Sequence, residues 1–286
     1  MPLRDEGRPG FKAPPLSCDS HFHVFGPAER YPYAADLRYR PPLAPLEDYL
    51  ALSHRLGIER YVFVQPSAYG RDNTCMLDAM RAVGPHCCGI VDIDEHAPEA
   101  ELERLNKAGV RGVRVNENPI KPREPGYSKT MLARIERLDA RCVEIGWMLD
   151  FLTPGWLTQE LLPVMGKLKS RCTIAHMGMF LAKDGRAQPG FRQFLEFLRG
   201  SDRCWVKFTG TYRISVAPGF TDVAPMARAL IEAVPDRIIW GSDYPHLSFA
   251  DKVGSVELFN LLGEWAPDAA MRRKMLADNP RQLFGF

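Results

Sequence analysis

Eight short apolar runs rich in β-branched residues alternate with amphipathic stretches along this chain, and that alternation constrains the fold more than any other feature. The runs are Leu16 to Phe25, Arg60 to Gln65, Gly89 to Asp92, Gly112 to Asn116, Trp147 to Phe151, Cys172 to His176, Cys204 to Thr209 and Arg237 to Asp243. Between them lie segments with helical spacing: Leu46 to Leu56, Asn73 to Val83, Pro98 to Ala108, Lys129 to Ile145, Gln159 to Leu168, Phe191 to Leu198 and Val223 to Ala233. Two more, Ser255 to Trp265 and Asp268 to Asp278, follow the last run. Leu102, Leu105 and Ala108 illustrate the pattern, since they share one helix face and Gly109 ends it as a cap. Strands that alternate with helices build a parallel sheet, so eight units predict an α/β fold, a (β/α)8 TIM barrel. No Gly/Ser linker or internal repeat divides it. The expectation is a single barrel domain over 16–286 with extra C-terminal helices, preceded by an N-terminal arm over 1–15.

A chain of 286 residues, 45% hydrophobic, can fill such a barrel. Its 37 basic and 35 acidic residues are well mixed, and no Lys/Arg run resembles a nucleic-acid arm or a polybasic membrane patch. Residues 1–15 are charged and carry Pro and Gly where a signal peptide needs an apolar core, and no apolar run reaches the length of a membrane span. The expectation is a cytoplasmic protein whose partner is a small molecule, neither nucleic acid nor membrane. Seven cysteines without a CxxC pair argue against a disulfide framework or a zinc knuckle. The helices show no self-complementary face from which to read an oligomeric state.

In such a barrel the active site lies where the strands end, and here the ends are polar. The first run closes on His21 and His23, whose side chains share a face because strand residues alternate. By themselves the two histidines fit equally a pair of polar residues satisfied by backbone partners or an imidazole pair converging on a metal or a carbonyl. The second run ends at Gln65 with Ser67 beyond it, the fourth at Arg114 and Asn116, and the fifth offers Asp150. The sixth ends at His176, the seventh carries Lys207 with Arg213 following, and the eighth ends at Asp243 with His246 close by. Apolar strands that repeatedly finish on ionisable residues are poorly explained by packing, because an unpaired buried charge is costly. The loop from Gly26 to Pro45, with Tyr31, Tyr33 and Tyr39, is long for a strand-to-helix connection and suits either a binding loop or a stiff cover over the barrel edge. His54, His86 and His96 lie in or beside helices and are expected at the surface.

His-x-His on the first strand, Ala175-His176-Met177-Gly178 on the sixth and Trp240-Gly241-Ser242-Asp243-Tyr244-Pro245-His246 on the eighth together resemble the amidohydrolase superfamily. Asp19-Ser20-His21-Phe22-His23-Val24-Phe25-Gly26-Pro27, Val64-Gln65-Pro66-Ser67, Gly109-Val110-Arg111-Gly112-Val113-Arg114 and the Trp205-to-Arg213 segment narrow the resemblance to the 2-pyrone-4,6-dicarboxylate lactonases. The similarity runs from about Ser17 to the C-terminal Phe286. It implies a hydrolase that opens a carboxylated lactone by water attack in the breakdown of aromatic compounds, with no bound metal. Asp243 would be the general base, with His21, His23 and His176 around the scissile carbonyl. Tyr39, Ser67, Arg114, Arg213 and His246 would hold the substrate.

The chemistry is coherent in its own terms. A lactone needs a deprotonated water and a place for the developing oxyanion, and a carboxylate beside imidazoles supplies both. Guanidinium groups match carboxylates with paired hydrogen bonds. The chain also departs from the family pattern: Glu117 follows the strand-four Arg in a Pro-broken stretch containing Lys121 and Arg123, Asp150 stands where an uncharged residue is expected, and Met179 stands where an Arg is common. Other readings therefore stay open. One is a zinc-dependent lactonase, for instance of a sulfomuconolactone, or a decarboxylase, with one Zn on His21, His23, His176 and Asp243. Others are a sugar-acid lactone hydrolase or isomerase and, outside the enzymes, a barrel that binds aromatic acids without turnover.

Overall fold

A computed structural model describes residues 7–35, 37, 39–117 and 124–286. Lys121 and Arg123, the basic residues considered after strand four, lie outside the described residues. Eight parallel strands form one sheet in sequence order: β1 (Cys18–Phe22), β2 (Arg60–Val64), β3 (Cys87–Val91), β4 (Val110–Asn116), β5 (Met148–Leu152), β6 (Arg171–Ile174), β7 (Cys204–Phe208) and β8 (Ile238–Trp240). The ring closes just past the formal ends of β1 and β8, where Asp243 N donates to His21 O at 2.8 Å and His23 N donates to Tyr244 O at 2.9 Å. The (β/α)8 expectation holds.

The connecting helices are α1 (Leu46–Leu56), α2 (Thr74–Val83), α3 (Glu99–Lys107), α4 (Leu132–Ile145), α5 (Gly155–Met165), α6 (Pro189–Gly200) and α7 (Ala224–Ala233). After β8 come α8 (Ser255–Trp265), α9 (Ala269–Arg273), a π turn over Lys274–Asp278 and α10 (Asn279–Phe284). The main displacement from expectation is α5, which begins four residues before Gln159. Pro154-Gly155 reads as a turn, but Pro154 adopts the extended backbone of a helix cap and lets the helix start at once. The last helix, α10, is equally unannounced, because Pro280 sits in its first turn, where its missing N–H costs nothing.

The predicted strands were too long at the barrel mouth. β1 stops at Phe22, β6 at Ile174 and β8 at Trp240, so His23, His176 and Asp243 stand beyond the sheet. His176 and Asp243 both take left-handed backbone, with φ of 52° and 57°. Polar side chains at turned strand ends can lean toward the barrel axis. Helix-facing residues such as Phe22, Phe63, Val113 and Phe151 fill the layer between sheet and helices.

Candidate active site

Asp243 is the centre on which the strand-end residues converge. The turn that carries it follows Gly241, where a Cβ would approach His21 N and Cβ to 2.7 Å, so only glycine lets β8 pass this close to β1. Asp243 is 2% exposed, and its two oxygens have unlike surroundings. Oδ2 accepts from Tyr212 OH at 2.5 Å and from Arg213 Nε at 3.3 Å, with His176 Nε2 at 3.8 Å. Oδ1 faces His21 Nε2 at 3.5 Å and His23 Nε2 at 3.6 Å, both too long for a hydrogen bond. Burial opposes the carboxylate charge, but His176 and Arg213 beside it outweigh burial and hold Asp243 well below the ordinary value of 3.8.

Each imidazole is buried, and burial is the first reason each is held neutral. His176 is lowered to about 3, and His21 and His23 are also lowered from 6.5. Their outer nitrogens are tied down differently. His23 Nδ1 lies 2.7 Å from Val64 O, and a carbonyl can only accept, so that nitrogen carries the proton and Nε2 presents a lone pair. His176 Nδ1 contacts Thr209 Oγ1 at 2.6 Å, and its own backbone N–H donates to the same oxygen at 3.1 Å. The ring fits there because residue 210 is glycine: a Cβ would come within 2.5 Å of His176 Nδ1, on a backbone with φ of +56°. His21 Nδ1 faces Lys207 Nζ at 3.5 Å, and its buried Nε2 has no hydrogen-bond partner among the described residues. The rings of His21 and His23 meet edge to face at 5.1 Å, as the alternation of β1 required.

Beneath these rings lies a polar layer inside the barrel. Asp150 and Arg114 are neighbours in the β4–β5 register. Lys207 Nζ binds Asp150 Oδ1 at 2.7 Å, and Thr173 Oγ1 donates to the same oxygen. Arg114 is 4% exposed and donates from Nη1 to Gln65 O at 2.6 Å.

The other expected substrate contacts divide. Tyr39 OH and Ser67 Oγ meet at 3.2 Å just beyond the end of β2. His246 instead packs edge-on against Tyr212 at 5.6 Å, and its Nε2 meets Ser255 Oγ at 2.9 Å, so its ring serves the turn that carries Asp243. Tyr212, which touches the carboxylate more closely than any histidine, stood outside the expected set. Its signal was its place beside Arg213, since both belong to the single turn Thr211–Arg213 after β7. Arg213 also borders a cavity of about 600 Å³ lined in part by Trp156, Met179, Phe180 and Phe249. His54, His86 and His96 are exposed, as expected.

Known proteins are similar to this chain over nearly their full length. The chain is 37% identical over 279 residues to a 4-sulfomuconolactone hydrolase of Hydrogenophaga intermedia, covering 96% of this chain and 90% of that one. It is 32% identical to a 2-pyrone-4,6-dicarboxylate hydrolase of Comamonas testosteroni, covering 97% and 92%. An apo crystal structure of ATU3138 from Agrobacterium tumefaciens superposes with a TM-score of 0.85 at 29% identity, covering 97% and 98%. The amidohydrolase family model matches residues 18–286, from the strand that carries the histidine pair through Asp243 to the C-terminal residue. Sequence, barrel and strand-end chemistry thus agree over one continuous span, and the chain belongs to the amidohydrolase family.

Proposed function

We propose that this protein hydrolyses a lactone bearing a carboxylate or sulfonate group, by attack of a water whose proton is taken by Asp243. The observation that carries the reading is the asymmetry of Asp243: Tyr212 and Arg213 occupy Oδ2, while Oδ1 faces the reaction space between two imidazoles. His23 Nε2 and Asp243 Oδ1 are both acceptors, and a water placed between them can donate to each. Its oxygen bonds to the lactone carbonyl carbon, the ring C–O bond breaks, and the proton held by Asp243 passes to the departing oxygen. Neutral imidazoles suit this site because they can donate to the oxyanion without charge of their own. Two relatives are named for lactones with sulfonate or carboxylate groups. Arg213 at the cavity wall offers an acidic substrate a cationic contact.

Opening a lactone near neutral pH releases one proton, so a pH-indicator screen of carboxylated and sulfonated lactones tests the reading directly. Turnover of at least one is expected. Asp243→Asn should lower kcat by about 10²-fold or more while leaving substrate binding measurable. Undiminished turnover in that variant would remove Asp243 as the base.

A second reading is favoured by one observation. His21 Nε2 is a buried nitrogen with no hydrogen bond among the described residues, and it lies with His23 and Asp243 in a group whose ligand atoms are all within 4.8 Å of one another. This donor set fits one divalent ion such as zinc, with His176 adjacent. When bound, such an ion would polarise the carbonyl and acidify a water. Protein purified without chelator should retain full activity after exhaustive chelation under the first reading; loss restored by zinc would establish the second.

A further inference from the structure

Lys207 and Asp150 form an ion pair at the centre of the barrel, both 0% exposed. Such a pair is an expensive way to fill space. Two charges withdrawn from water rarely repay their desolvation, and an apolar pair of similar volume is commonly as stable. Stability is thus no sufficient reason for the pair, although Asp150 also balances the neighbouring Arg114, and the geometry offers a further role. Asp150 Oδ1 receives the Lys207 ammonium at 2.7 Å and the Thr173 hydroxyl, which fixes where the ammonium points. Its other described contact is His21 Nδ1, at 3.5 Å.

An ammonium has three donors and no lone pair. A ring N–H aimed at it would be repelled, whereas a ring lone pair is attracted, even at this long separation. The neutral imidazole of His21 must then carry its proton on the far nitrogen. We propose that Lys207, anchored by Asp150 and Thr173, is a positioning residue that holds His21 in the Nε2–H tautomer, so that His21 meets the substrate as a hydrogen-bond donor. Nε2, which faces Asp243 Oδ1 at 3.5 Å and makes no hydrogen bond among the described residues, is thereby a donor available to the carbonyl oxygen of the lactone. His21 and His23 acquire opposite roles although they stand two residues apart. Val64 O directs the proton of His23 away from the centre, and Lys207 directs that of His21 toward it. A donating Nε2 is also a poor metal ligand, so the pair disfavours the zinc reading.

The kinetic arm of the test rests on the lactonase reading; the spectroscopic arm does not. Histidine labelled with ¹⁵N in the ring reports seven residues, and His21→Gln assigns the signals of interest. In the wild type, His21 should show a protonated Nε2 and an unprotonated Nδ1. Lys207→Met alone leaves the Asp150 charge buried without its ammonium partner and can unfold the barrel, so the informative variant is the double replacement Asp150→Leu with Lys207→Met, which removes both charges of the pair and leaves the neighbouring Arg114 in place. It should fold, shift His21 toward the other tautomer, and lower kcat by about 10²-fold, the loss expected for one misdirected oxyanion donor, with KM changed less than about threefold. Asp150→Asn with Lys207 retained should keep the wild-type tautomer and most of the activity. An unchanged His21 tautomer in the double variant overturns the proposal, as does a wild-type His21 protonated on Nδ1. A wild type that opens no lactone would instead strike the functional reading, with the tautomer result standing apart.

Discussion

Asp243 works through the difference between its two oxygens, and that difference depends on Tyr212 and Arg213 in the single turn after β7. Tyr212 OH at 2.5 Å from Oδ2 orients the carboxylate without occupying the oxygen that faces the water. Tyr212→Phe removes one hydroxyl from a buried site. Because a misplaced base loses rate more than affinity, kcat is expected to fall by about 10-fold to 10²-fold with KM nearly constant. Steady-state kinetics on the best lactone of the screen would show it, and wild-type kcat would take Tyr212 out of the catalytic apparatus. The histidine pair was legible from alternation along one strand, and Asp243 from its place at the end of another. Tyr212 was not, since a residue in a short turn has no periodicity to reveal which way its side chain points. Lys207 and Asp150 were visible as charges in apolar runs, but their partnership spans two strands and has no trace in local sequence.

At the scale of elements, the seam between β1 and β8 matters most, because it brings the histidine pair beside Asp243. Asp19 stitches it: Oδ1 accepts from His21 N and Ser242 N, both at 3.0 Å, and Oδ2 accepts from Tyr49 OH at 3.0 Å. Burial nevertheless pushes the Asp19 carboxyl up to about 6. A folded-state value above the unfolded one means that the folded protein binds this proton more tightly, so stability from this group is full below about pH 4 and declines as pH rises to about 6. The cost at neutral pH is roughly 3 kcal/mol. Asp19→Asn keeps an oxygen for the two N–H groups and removes the charge. Its melting temperature relative to wild type should therefore rise as pH increases from 4 to 7; a difference independent of pH would show that Asp19 is not charged at a cost. Helix positions were well read where amphipathic spacing was strong, as for α1 and α8, whose observed bounds equal the expected ones. The start of α5 was misread because Pro154-Gly155 also reads as a turn.

For the whole molecule, the buried site makes acid the natural denaturant. Folded-state depression of His176 from 6.5 to about 3 gives stability that is present above about pH 6.5 and lost as pH falls toward 3, worth on the order of 5 kcal/mol. His21, His23 and Asp243 are shifted in the same direction. Asp19 opposes them with the smaller amount. Chemical denaturation from pH 7 to pH 4 should show a net fall in unfolding free energy, and His176→Asn should flatten it; a wild type equally stable at both ends would contradict the neutral, buried imidazoles.

The order of strands and helices was written locally, in alternation of period two and spacing of period three to four, and those patterns sufficed for the barrel, while the family resemblance rested on short motifs at the strand ends. Which charged residues stand at strand ends was equally plain. What the sequence could not convey was distance across the barrel: that Asp243 rests on Tyr212, that Lys207 reaches His21, and that His246 turns aside to Ser255. Each of these contacts joins residues on different elements, and their geometry is set only when eight strands close into a ring.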